Sequence, residues 1–267
     1  MTYIVLGYGD IALAALLLII NASLSLLLGL GIARHLLVAA LRMVVQLTLM
    51  GLVLKTLFAL TSPVWTAAAA IFMILFAGRE AGARLGRRFK GVWTYGLGTT
   101  SMLMAGGVIS VLALSALLRP DPWYDPRYAL PLLGMILGNT MNAVALGMNT
   151  LTATAFNERN AIESRLALGH TRFEALDRVM RASLRTALMP IVNSMAATGL
   201  VALPGMMTGQ ILAGVEPVEA VKYQLLIMFL IAGGTALGGL IAVLAGAWRL
   251  TDGRHRLRLD RLTDGHK

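Results

Sequence analysis

The chain of 267 residues contains no cysteine, which excludes a disulfide framework, a thiolate metal site and a cysteine nucleophile. Charge is scarce too. Asp, Glu, Lys and Arg supply 13% of the residues, where a soluble domain carries about 25%. No GxxxxGK[ST] stretch occurs anywhere in the sequence, so the chain lacks the phosphate loop by which many proteins grip ATP. What is present instead is apolar. Hydrophobic residues reach 57% and mean hydropathy is +0.74, an excess that a soluble core does not absorb and a bilayer does. The start, MTYIVLGYGD, has no basic run before its first apolar stretch, so it does not read as a cleaved secretory signal.

Segments of about 20 apolar residues are long enough to cross a membrane as helices. Seven are expected, at roughly 11–33, 36–60, 64–78, 92–118, 132–156, 191–214 and 221–248. The fold class is therefore all-α, a polytopic helical bundle in the membrane. Lysine and arginine concentrate in alternate gaps: Arg34, then Arg79 to Lys90, then six arginines from Arg159 to Arg185, then Arg249 to Lys267. The other gaps hold little beyond Arg119, Arg127 and Lys222. Basic loops stay in the cytoplasm, which predicts N-terminus out and C-terminus in. Residues 1–250 then form the membrane domain, with a cytoplasmic elbow at 157–190, and 251–267 form a basic cytoplasmic tail. The net charge of +10 is chiefly this topology signal. No basic patch is interleaved with aromatics, so nucleic acid is not expected as a partner.

The elbow has its own pattern. Ile162, Leu166, Phe173, Leu176, Met180, Leu184 and Leu188 recur at three- and four-residue steps, and charged residues take the other faces. Gly169 suits the position just past a helix end, and Thr171 with Glu174 three residues on has capping-box spacing. One helix should stop and another start at 169–171. Two readings are open: an interfacial hairpin lying on lipid, or a cytoplasmic elbow that docks a soluble partner.

The run GLVALPGMMTGQILAGVEPVEAVKYQ at 199–224 is apolar enough to enter a bilayer, yet Pro204 and Gly205 interrupt it. Proline removes an N–H, and irregular backbone at membrane depth persists only where protein or a water-filled cavity surrounds it. Pro204 and Gly205 are candidate hinge residues.

Within the spans, Asn139, Asn142 and Asn149 share one helical face with Met135 and Leu146. They read either as ties between helices or, with Asn193, Met206, Met207, Thr208 and Gln210, as the lining of a transit path. Gly134 and Gly138 form a GxxxG pair that would allow close helix approach. Thioether sulfur favours soft metals, but methionine also fills irregular cores. No Asp, Glu or His falls inside the seven expected spans. That argues against a proton-coupled carrier or a membrane protease, and no tight metal site is predicted in a single subunit.

Glu163, Gly169, Leu188 and Pro190 resemble a loose form of the loop by which bacterial ABC permeases contact their ATPase. Together with GMILGNTMNAVAL at 134–146, LRTALMPIVNS at 184–194 and LPGMMTGQILAG within 199–224, the chain closely resembles the FetB-type iron-export permease family, to which plant aluminium-tolerance proteins look related. The similarity runs from about residue 40 to the last span. It implies a permease of the bacterial inner membrane, paired with a second copy and with ATPase subunits that bind ATP and Mg, and exporting iron. Glu163, Gly169, Thr171 and Glu174 would couple it to the ATPase. The family pattern allows an acidic residue where this chain has Asn193.

Overall fold

Three long helices begin on proline, whose fixed φ suits the first turn and whose missing N–H is not needed there. A computed structural model describes residues 7–263. Its helices are α1 Tyr8–Leu27, α2 Ala33–Leu60, α3 Pro63–Ala83, α4 Trp93–Leu118, α5 Pro126–Asn157, α6 Arg159–Ala167, α7 Arg172–Ala197, α8 Gly205–Leu212 and α9 Pro217–Arg249. The prolines open α3, α5 and α9, and the Asp125 carboxylate caps α5 by accepting from the Arg127 N–H at 2.9 Å. Helix α4 is α-helical with two π-helical stretches, Leu103–Val108 and Ala113–Leu118. Among the described residues, paired extended backbone is limited to isolated bridges such as Phe89 with Leu262 and Thr251 with Leu257.

The chain divides into two units. Residues through Thr61, with Leu212–Gly214, form the first. In it, α1 ends on Gly29 at φ +64, and the Leu30 N–H returns to the Ser25 carbonyl at 3.0 Å, a cap that lets the chain reverse into α2. Both helices expose leucine, isoleucine and valine along their length, as lipid-facing helices do.

The second unit, Ser62–Ile211 with Val215–Lys267, is a bundle whose directions follow from its neighbours. Gly78 on α3 meets Thr99 on α4 and Gly82 meets Thr94, so these helices are antiparallel. Helix α5 runs with α3, since Gly134 faces Met73 and the Gly86 N–H reaches Asn149. Helix α9 runs with α5: Gly234 meets Ile136, Gly238 meets Thr140, and Gly246 meets Leu151.

Two parallel helices linked in sequence require a return crossing between them. Helix α7 makes it. Ile191 clusters with Ile136 and Ile231, the Gly147 and Gly239 backbones face Ala187, and Leu176 and Val179 pack with Leu151, Ala247 and Leu250. Its 26 residues span about 39 Å at ~1.5 Å per residue, enough to cross a hydrocarbon core of about 30 Å.

This corrects the expectation of a seventh apolar span at 191–214. Among the described residues, six helices are long and apolar enough to cross a membrane: α1 to α5 and α9. The segment 191–214 is the end of α7, a turn from Thr198 to Pro204, and α8. The helix starts about five turns earlier, and hydropathy misses it because Arg172, Glu174, Asp177, Arg178, Arg181 and Arg185 stand in its first 14 residues. The third span is also longer than 64–78 suggests, since α3 continues through Arg79 and Glu80 to Ala83.

Close approach occurs at different glycines from the pair singled out by sequence. A Cβ at Gly98 would lie 2.6 Å from the Gly78 carbonyl oxygen, and one at Gly147 would lie 3.1 Å from both Ala187 Cβ and Val243 Cγ2. Gly138 has open space around it and Gly134 meets only the tip of Met73, so the GxxxG pair forms no tight crossing within this chain.

Candidate functional site

One end of the bundle gathers the basic connections: the α3–α4 loop, the elbow between α5 and α7, and the segment after α9. At the elbow, the Gly169 N–H donates to the Leu166 carbonyl at 3.0 Å and the His170 N–H to the Arg165 carbonyl at 3.1 Å. This is the paired pattern that closes a helix through a left-handed residue, and Gly169 has φ +92. Helix α7 then opens with the expected capping box. The Glu174 N–H donates to Thr171 Oγ1 at 3.4 Å, while Glu174 Oε2 accepts from the Thr171 N–H at 2.7 Å and hydroxyl at 2.8 Å. Glu163 is exposed on α6 and borders a shallow groove with Leu166, Ala167, His255, Arg256 and Leu257.

The groove exists because residues 250–263 fold back as a clasp. Asp252 Oδ1 accepts from the Arg254 and Arg256 N–H groups at 2.9 and 3.0 Å, and its Oδ2 pairs with the Arg256 guanidinium at 2.8 Å. Arg258 forks onto both oxygens of Asp260 at 2.8 Å, and Arg261 donates to the carbonyls of Arg249 and Thr251. Backbone bonds from Lys90 to Arg261 and from Thr263 to Arg88 join the clasp to the α3–α4 loop. His255, at φ +54, accepts the Arg172 N–H on Nδ1 at 3.0 Å. Leu257, Leu259 and Leu262 pack on the core shared by Phe89, Ile162 and Leu250. The signal in sequence was the alternation of RHRLRLDRL after an Asp-Gly turn, which a reading of net charge alone passes over. Residues 264–267 of the expected tail lie outside the described residues.

The clasp has a pH signature. The Arg256 N–H holds the Asp252 carboxyl at about 2, and the Arg258 guanidinium does the same for Asp260. A depressed carboxyl contributes stability that is present above its ordinary pKa and is lost as pH falls through the folded value. The clasp should therefore stay closed down to about pH 4 and open towards pH 2. Tryptophan emission reads this, because Trp93 stacks under Arg249 at 4.2 Å and lies 6.3 Å from Trp248. An Asp252→Asn variant should show the open-state emission already at neutral pH; unchanged emission would contradict this account.

The polar membrane residues separate into groups. Asn142 Oδ1 accepts from Arg84 Nη1 at 2.7 Å and Asn149 Oδ1 from the Gly86 N–H at 2.9 Å, so both tie α5 to the end of α3. Asn139 donates to the Met135 carbonyl of its own helix at 2.9 Å. Asn193 is exposed and lines a shallow groove with Leu146, Arg185, Thr186, Met189 and Pro190. On α8, no residue is buried. Thr208 Oγ1 donates to the Pro204 carbonyl at 3.2 Å, and Gln210 Oε1 is buried without a hydrogen-bond partner. No hydrogen bond among the described residues joins Met206, Met207, Thr208 or Gln210 to Asn139, Asn142 or Asn193. The break in the apolar run is real, but it spans Thr198–Pro204. Gly199 takes φ +91 there, and Pro204 with Gly205 starts α8. Among the described residues, no group of three or more His, Cys, Asp or Glu side chains is placed to hold a metal ion.

Comparison with known sequences places these elements in a wider set. The model of UPF0014, described as an uncharacterised protein family, matches residues 8–250. The UPF0014 membrane protein slr1647 of Synechocystis is 38% identical over 231 residues, 85% of this chain and 87% of that protein. The probable iron export permease protein FetB of Escherichia coli is 32% identical over 253 residues, 95% of each chain. The UPF0014 membrane protein STAR2 of rice is 34% identical over 237 residues, 86% of this chain and 81% of its own. No solved structure matches.

Proposed function

This chain belongs to the UPF0014 family of membrane proteins, and from that premise we propose that it is the permease subunit of an ATP-driven ABC exporter that carries iron out of the cytoplasm. It is a multi-pass membrane protein related to a named permease. The observation that carries the proposal is the capped elbow of Gly169, Thr171 and Glu174, held at the basic end of the bundle in a chain with no phosphate loop of its own. That end faces the cytoplasm by the distribution of arginine, with the N-terminus outside and the C-terminus inside, in the inner membrane of a bacterium. ATP and Mg are bound by a separate subunit, and two copies of the chain pair with two such subunits.

The elbow leads directly into α7, so a force on it is delivered to the return crossing, to the turn at 198–204 and to α8. Asn193, Met206, Met207, Thr208 and Gln210 are proposed to face the cargo in transit, with Asn139 and Asn142 completing the polar face. Oxygen and thioether donors without a carboxylate bind a divalent cation weakly, which suits a site that has to release what it takes up. The reconstituted complex with its ATPase should hydrolyse ATP faster with ferrous iron than with manganese, copper or UDP-glucose. Flat responses to every metal would remove iron from the proposal, and sustained transport by liposomes holding this chain alone would remove the ATPase.

A further inference from the structure

The elbow is not the whole of the surface that the basic end offers. The tip of the clasp, Gly253 to Arg256, is exposed beside Glu163. Its carboxylate Asp252 is already engaged by Arg256 and by two backbone N–H groups, which leaves the Arg254 guanidinium standing at the tip. Leu168, at the elbow turn, is 79% exposed. Together these make an apolar point and a shallow groove bordered by Glu163, His255 and Arg256.

Resting on the reading of this chain as an ABC permease, we propose that the clasp turn is the second half of the ATPase-docking surface. The elbow and the turn would then be gripped as one by a cytoplasmic ATPase that presents carboxylates around an apolar pocket. The charge pattern favours a protein over a lipid surface. Exposed Glu163, Glu174 and Asp260 stand among the arginines, and this mixture of signs suits a complementary protein face, where a surface for anionic headgroups would be uniformly basic. The connections give the docking a consequence. His255 holds the first turn of α7, Arg261 holds the end of α9, and the edge at Arg88 and Lys90 holds the α3–α4 loop. A subunit that moves the clasp therefore pulls on the ends of α3, α7 and α9 together, whereas the elbow by itself joins only α5 and α7.

The test uses the full-length chain in detergent. Tagged wild type first recovers, from membranes of its own cells, the ATPase that carries a GxxxxGK[ST] sequence; that purified ATPase is then titrated against wild type and the variants R254E, R254K, E163R and G169P. Arg254 shares no side-chain bond with Asp252, so R254E should melt at the wild-type temperature. It should bind the ATPase about tenfold more weakly, with R254K near wild type, and added salt should weaken the wild type more than R254E, as for a rim charge. If R254E binds like wild type while E163R and G169P do not, the clasp proposal is overturned and the elbow reading stands. If no such ATPase is recovered, or none of the variants changes binding, both fall. If R254E loses only co-sedimentation with phosphatidylglycerol vesicles, the turn is a lipid contact and the proposal is overturned.

Discussion

Replacing Gly169 by proline should cut recovery of the ATPase with this chain to about a tenth of wild type or less, with membrane insertion unchanged. Gly169 sits at φ +92 and its N–H closes α6 onto Leu166. Proline requires φ near −65° and has no N–H, so the turn opens and α6 loses its fixed angle to the capped start of α7. The local cost is more than about 1 kcal/mol, borne by an exposed turn and not by the bundle core, which is why the damage should appear in assembly before it appears in folding. Gly169→Asn is the control, because asparagine tolerates the left-handed region, and it should keep most of the ATPase. Full recovery with the proline variant would separate the elbow from coupling and leave it as an interfacial hairpin.

Gly78→Leu should remove the fold itself. A Cβ at this position would lie 2.7 Å from the Cα and 2.8 Å from the backbone N of Thr99. Backbone cannot swing aside as a side-chain tip does. The facing Gly98 backbone leaves no slack, since it runs against the Gly78 carbonyl. Overpacking of this kind costs about 3 kcal/mol or more, and α3 and α4 should separate, giving aggregate in place of a monodisperse peak on size exclusion. Gly138→Leu enters open space and should shift stability by less than about 0.5 kcal/mol. The reverse ranking of the two variants would mean that the tight crossing lies at the GxxxG pair after all.

The elbow was legible to the residue because its signals are local. A glycine past a helix end and a threonine with a glutamate three residues on act through backbone groups within one turn, and both motifs form as their spacing predicts. The starts of α3, α5 and α9 on proline are local too, but the spans expected at 64, 132 and 221 followed hydropathy and passed over them. The asparagines were legible only in part. Their shared face could be counted, but whether each amide met another helix depended on residues far away in sequence, and Arg84 and Gly86 decided it for Asn142 and Asn149. The clasp within the basic segment was not legible, because net charge records how many arginines are present and not which carboxylate or carbonyl each one reaches.

By itself the sequence determined that this is a helical membrane protein, which end of it is basic, where the elbow turns and that the apolar run near Pro204 is interrupted. Each of these is a matter of hydropathy or of bonds within a few residues. Only the tertiary structure decided that α7, with six charged residues between Arg172 and Arg185, carries the return crossing. An average of hydropathy penalises charges wherever they stand, whereas parallel packing of α5 against α9 leaves the chain no other way back. The structure likewise chose which glycines form the tight crossings and folded residues 250–263 onto three helix ends, because close approach and ion pairing are set by partners that sequence distance does not reveal.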